Sequence, residues 1–179
     1  AKTKSRALAY GSSGNGSTPQ LAGETFKLMV GVDLLHVPYK GSGQSLADTA
    51  AGVVQVSFDT LPAQLGYIRN GKLRPLAVLG PKRVSALPDL PTIAESGHPG
   101  AEGLTWFGLY GPGSMPRTIV AKLHAEVSKA VKLPDVAARF DTLGAVDGTF
   151  ESPTDFAKAA RAEVERYARV AKAAGIKGD

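Results

Sequence analysis

The sequence predicts an α/β fold, in which a mainly parallel sheet flanked by helices is followed by a helical C-terminal segment. Three observations carry that prediction. Short apolar runs alternate with amphipathic stretches over residues 7–79, the pattern of βαβ units. Loops of small polar residues follow the apolar runs at 11–18, 38–43 and 59–60, where ligands of open parallel sheets bind. Beyond residue 117, apolar residues recur at helical spacing.

The first strand is predicted over 7–10, Ala-Leu-Ala-Tyr, and a helix over 19–30. Pro19 suits a first helical turn, Ser17 and Gln20 fit a capping box, Leu21, Ala22, Phe26 and Met29 share one face, and Gly31 stops the helix. A second strand is predicted over 33–37, a short helix over 44–51 ended by Gly52, and a third strand over 53–58. A helix over 62–69 stopped by Asn70-Gly71 and a fourth strand over 73–79 complete this part. Residues 81–103, rich in Pro and Gly, read as a wandering connection with one helical turn near 93–96. Residues 104–111 are strongly β-prone. Three helices follow, one after Pro116, one over 134–143 and one over 153–174.

Composition narrows the classes. With 43% hydrophobic and 21% charged residues the chain has enough apolar material for a core. No apolar run approaches the roughly 20 residues a membrane span needs. The formal charge of +5 is scattered apart from residues 1–6, with no aromatic-interleaved basic element, so nucleic acid is not an expected partner. That charge assists capture of a small anion. The absence of cysteine excludes disulfides, thiolate metal sites and cysteine nucleophiles, and three dispersed histidines offer no metal-ligand spacing. Neither a metal nor a cofactor is expected.

The loop Gly11-Ser12-Ser13-Gly14-Asn15-Gly16-Ser17-Thr18 between a strand and a helix is the leading candidate site. Helix N-termini present outward N–H groups and favour negative charge, glycines let the backbone curl into a nest, and four hydroxyls (Ser12, Ser13, Ser17, Thr18) add donors. Gly11 and Gly16 have phosphate-loop spacing, but Ser17 occupies the lysine position, which argues against nucleotides. A serine hydrolase using Ser13 is an alternative, since residues 11–15 come close to a nucleophile elbow. The available bases, His36, His98 and His124, read as structural or surface residues, and no triad assembles. A non-catalytic effector-sensing or assembly module is a further alternative. Tyr39 and Lys40 before Gly41 suit either recognition or, respectively, packing and solvation. Asp59 suits either a helix cap or a ligand contact. Trp106 and Phe107 suit a core or an inter-lobe seam.

Taken together, Tyr10 to Ser17, Leu21-Ala22-Gly23-Glu24, His36 to Gly41, Phe58-Asp59, Gly71-Lys72-Leu73-Arg74, Leu87-Pro88-Asp89, Pro91-Thr92 and Trp106-Phe107-Gly108 resemble the Bug-type solute-binding receptors of tripartite tricarboxylate transport systems. The resemblance runs in order along nearly the whole chain. It implies a periplasmic-binding-protein-like lobe of a two-lobe receptor in the Gram-negative periplasm. Such a receptor captures a di- or tricarboxylate or an acidic amino acid and delivers it to membrane permease subunits, without catalysis. The binding residues it implies are Ser12, Ser13, Gly14, Asn15, Gly16, Ser17, Thr18, Tyr39, Lys40, Gly41, Phe58 and Asp59. Residues 1–103 correspond to the second lobe and 104–179 to the crossover strand and helices that complete the first. The chain does not begin with Met, which is expected of a processed or excised piece. Its C-terminal apolar stripes, made for a first lobe, are expected to be covered by self-association or domain swapping. Gln20 and Thr60 depart from the frequent histidine and asparagine of the family.

Overall fold

The computed structural model describes residues 8–103, 105–143, 145 and 150–176. Its elements are β1 (Ala9–Ser12), α1 (Thr18–Val30), β2 (Leu35–Pro38), α2 (Ser42–Ala50), β3 (Val56–Ser57), α3 (Leu61–Arg69), α4 (Arg117–Ala130), α5 (Pro134–Leu143) and α6 (Pro153–Ala174). The strands form a parallel sheet in the order β2-β1-β3, with Tyr10 opposite His36 and Val56, and Gly11 opposite Val37 and Ser57. Parallel pairing directs all strand C-termini, and so all following helix N-termini, to one edge.

Alternation along β1 decides which helix meets which face. Tyr10 turns toward α1, where Gly23 leaves room for its ring; it is fully buried with Ala22, Leu34 and Phe58, and Leu8, Phe26, Val56 and Leu79 pack around them. Gly11 turns the other way, toward α2, where a side chain would strike the Ser45 hydroxyl. Inside this small core the Tyr10 hydroxyl donates to Glu24 Oε1 at 2.7 Å, and Lys27 pairs with Glu24 at 2.9 Å. Burial, reinforced by Glu24, holds the Tyr10 phenol well above its ordinary range, so it stays a neutral donor.

The sequence-based elements shift in identifiable ways. β1 runs on through Gly11 and Ser12 into the predicted loop, and β3 contracts to Val56–Ser57, with Val53 64% exposed. The predicted strand at 73–79 does not form. Pro75 lacks a ladder donor, and only Val78 bridges, to Thr92. The turn near 93–96 is present, closed reciprocally by Thr92 and Glu95: Glu95 N–H donates to Thr92 Oγ1 and Thr92 N–H to Glu95 Oε2. The β-prone run lies in irregular backbone over 105–111, residue 104 being outside the described residues. Trp106 and Tyr110 pack on Phe156 of α6, while Phe107 is 92% exposed. A strand needs a neighbour, and among the described residues this run has no backbone partner. Helix α6 returns to pack on α1, and Arg166 donates to the Glu102 carbonyl at 2.8 Å.

Candidate functional site

The N-termini of α1, α2 and α3 share the edge beyond the strand C-termini, with N-caps Ser17, Gly41 and Thr60. The Ser17 hydroxyl accepts from Gln20 N–H at 3.4 Å, whereas neither Gly41 nor Thr60 caps its helix with a side chain. First-turn N–H groups therefore face this edge without side-chain acceptors on α2 and α3. The loops after β1 and β2 are joined by Tyr39 N–H donating to Ser12 O at 3.0 Å. Gly14 (φ 137°), Gly16 (φ 69°) and Gly41 (φ 128°) sit in backbone regions that favour glycine, and a methyl on Gly14 would lie 3.2 Å from Tyr39 O.

The loop hydroxyls divide into builders and free groups. Ser12 is fully buried; its Oγ lies 2.7 Å from His36 Nε2, donates to Gly14 O and accepts from Gly14 N–H. Ser17 Oγ donates to Gly14 O at 2.6 Å. These two shape the nest from within. Ser13 and Thr18 are half-buried and their hydroxyls have no protein partner among the described residues. Asn15 and Gly16 are exposed at the tip.

The capping box is displaced by one residue, since Gln20 Oε1 accepts from Gly16 N–H at 2.7 Å rather than from Ser17 N–H. The Gln20 amide nitrogen lies 3.1 Å from His36 Nδ1. Burial lowers the His36 pKa, opposed by Glu24 and assisted by Lys27. His36 thus serves the buried Ser12, not the Ser13 of the hydrolase alternative, and an amide rather than a carboxylate orients it. His124 is similarly structural, 2.9 Å from the Phe150 carbonyl.

On the β2 loop, the Tyr39 hydroxyl donates its one hydrogen to Asp48 Oδ2 at 2.9 Å. Burial and Asp48 raise its pKa, so it is a neutral acceptor and a wall rather than a carboxylate donor. Lys40 is exposed and makes no ion pair among the described residues. Asp59 Oδ1 accepts from Thr60 N–H at 2.7 Å, so Thr60, not Asp59, is the N-cap of α3. Among the described residues, Asp59 Oδ2 is buried without a partner, as are the hydroxyls of Ser45 and Ser57.

Two expected contacts are corrected. Phe58 is core: its ring meets Tyr10 edge-on at 5.4 Å and Phe26 at 5.5 Å, because strand alternation turns it toward α1. Ser12 is fully buried on the same face of the sheet as Tyr10, against His36, because β1 extends through it. Missed by sequence reasoning were the supporting roles of His36, Gln20 and Asp48. His36 and Gln20 were visible as polar residues on the predicted strand and first helical turn; nothing in sequence spacing brings residues 16, 20 and 36 together.

Elsewhere, a groove of about 640 Å³ lies between residues 82–85 and α5, and one of about 490 Å³ beside Lys27 and residues 33–36. Neither coincides with the strand ends. No group of three or more potential metal-ligating side chains occurs among the described residues.

This parallel-sheet lobe with loops at one edge is of the periplasmic-binding-protein class, and solved structures agree. The "R. palustris Rpa4515 with adipate" structure matches at a TM-score of 0.85 with 41% identity, over 98% of this chain and 58% of that one. Periplasmic binding protein BugD matches at 0.81 with 30% identity, over 99% and 60%. MatC from Rhodopseudomonas palustris, solved with bound malate, matches at 0.77 with 31% identity, over 94% and 58%. Among curated proteins, BugT of Bordetella pertussis is 31% identical over 98% of this chain and 54% of its own length. A UPF0065 protein from the tcbD-tcbE intergenic region of Pseudomonas sp. strain P51 is 37% identical over 91% and 48%. The chain thus spans about half the length of these two relatives. The family model "Tripartite tricarboxylate transporter family receptor" matches residues 1–176, and the chain belongs to that family.

Proposed function

We propose that the chain is the ligand-binding part of a periplasmic solute receptor, gripping one carboxylate of a small organic acid for uptake through a tripartite transporter. The carrying observation is the gathering of three helix N-termini at one sheet edge, beside the unpartnered hydroxyls of Ser13 and Thr18. With the Gly14 and Gly16 N–H groups held by Ser12 Oγ and Gln20 Oε1, the loop offers the backbone N–H of Asn15 at its tip, Gly41 opens α2 toward the same edge, and Lys40 contributes charge. Tyr39 forms a wall. The buried free oxygen of Asp59 favours a ligand that carries a hydroxyl or ammonium donor beside its carboxylate. The adipate and malate held by structural neighbours support a small dicarboxylate.

In this reading residues 1–103 form one lobe, and 104–179 cross to a second lobe that shares the ligand. Permease subunits are the receiving partners. The apolar surface of Phe107, Leu109, Tyr110, Ile119 and Leu123 is covered by that second lobe or, in the isolated chain, by self-association. Calorimetric titration with malate, adipate, citrate and glutamate tests the binding. Weak binding of at least one acid, reduced several-fold by Ser13→Ala, is expected. Equal affinity in the parent and a Ser13→Ala/Thr18→Val variant would contradict the site.

A further inference from the structure

A relay of side chains reaches the Ser13–Ser17 loop from behind. Gly16 N–H donates to Gln20 Oε1 at 2.7 Å, which turns the Gln20 amide hydrogens toward His36 Nδ1 at 3.1 Å. Nδ1 must then be an unprotonated acceptor, so the ring proton sits on Nε2 and points at Ser12 Oγ, 2.7 Å away. Ser12 Oγ in turn holds both N–H and carbonyl of Gly14. One imidazole thereby controls both glycines of the nest, one through each ring nitrogen.

We propose that His36 is the positioning residue of this loop: its neutral Nε2–H form sets the conformation of Gly14 and Gly16, and protonation at Nδ1 releases Gly16. A proton on Nδ1 would confront the Gln20 amide hydrogens, two donors face to face. Gln20 must then turn over, which takes Oε1 away from Gly16 N–H and presents hydrogens to it. The Ser12 side of the relay keeps its donor and holds Gly14. The groups facing the ring are Glu24 and Lys27 from α1 and Tyr10 from β1, with ring centroids 5.0 Å apart. Glu24 and Lys27 pair with each other, and Tyr10 stays neutral, so burial decides the direction and delays protonation into mild acid. That this loop is the solute loop rests on the proposed function. The control of its shape does not.

The test is therefore run without solute, so the two can fail separately. On the full chain, ¹H–¹⁵N spectra would record the His36 ring nitrogens and the Gly14 and Gly16 amides from pH 8 to 5. Expected are an Nε2–H tautomer at high pH, a midpoint below the ordinary 6.5, and Gly16 shifting with that same midpoint. His36→Gln should abolish the Gly16 transition. Gln20→Met should abolish it while His36 still titrates, a result that survives if the first variant fails to fold. An Nδ1–H tautomer, or a Gly16 amide that ignores the His36 titration, would overturn the proposal.

Discussion

Ser12 and Ser13 are adjacent and chemically identical, yet they face opposite tasks, and substitution separates them. Ser12→Ala removes the acceptor for His36 Nε2–H and Gly14 N–H in a fully buried site and should cost about 1–3 kcal/mol of stability, read by thermal or urea unfolding. Ser13→Ala should leave stability within about 0.5 kcal/mol and weaken carboxylate binding by about 1 kcal/mol, roughly fivefold. His36 adds a pH dependence of the fold. Its folded-state pKa lies below its unfolded value, so the unfolded chain binds more protons between the two. Its contribution is complete above about pH 6.5 and is lost as pH falls below that; the parent Tm should drop over this range more than that of His36→Gln. At this scale the sequence identified the residue types of the nest. It could not assign their directions, because those depend on β1 continuing to Ser12, which turns that hydroxyl toward the buried side; Phe58, just after β3, likewise lies in the core.

Among the elements, the strand–helix junctions were the most legible, because glycines, hydroxyls and Pro19 mark them locally. α1 begins at Thr18 and ends at Gly31 in the left-handed conformation, close to its expected bounds. The strand at 73–79 was misread because an apolar run says nothing about whether a neighbour exists to pair with. Packing between β1 and α1 hinges on Gly23, where a methyl would sit 2.8 Å from Tyr10 Cζ and 3.1 Å from Phe58 Cδ2. Gly23→Ala should therefore destabilise by about 1–3 kcal/mol despite its better helix propensity, checked by denaturant midpoint.

At the scale of the whole chain, three helix N-termini share one edge of a small parallel sheet, and the C-terminal segment carries much exposed apolar surface. Phe107 and Leu109 stand out on it at 92% and 68% exposure. The isolated chain should associate reversibly, seen as a sedimentation coefficient rising with concentration, and Phe107→Ser with Leu109→Ser should suppress that rise. The family was readable from the ordered combination of short motifs, none of which is specific alone. The relay through His36 was not, since it joins residues far apart in sequence. The most direct test of the central claim is an amide-shift titration of the chain with malate near neutral pH. Shifts are expected to concentrate at Ser13, Gly14, Gly16, Thr18 and the start of α2, at Ser42 and Gly43. Shifts confined to the groove between residues 82–85 and α5, with the strand ends unmoved, would contradict it.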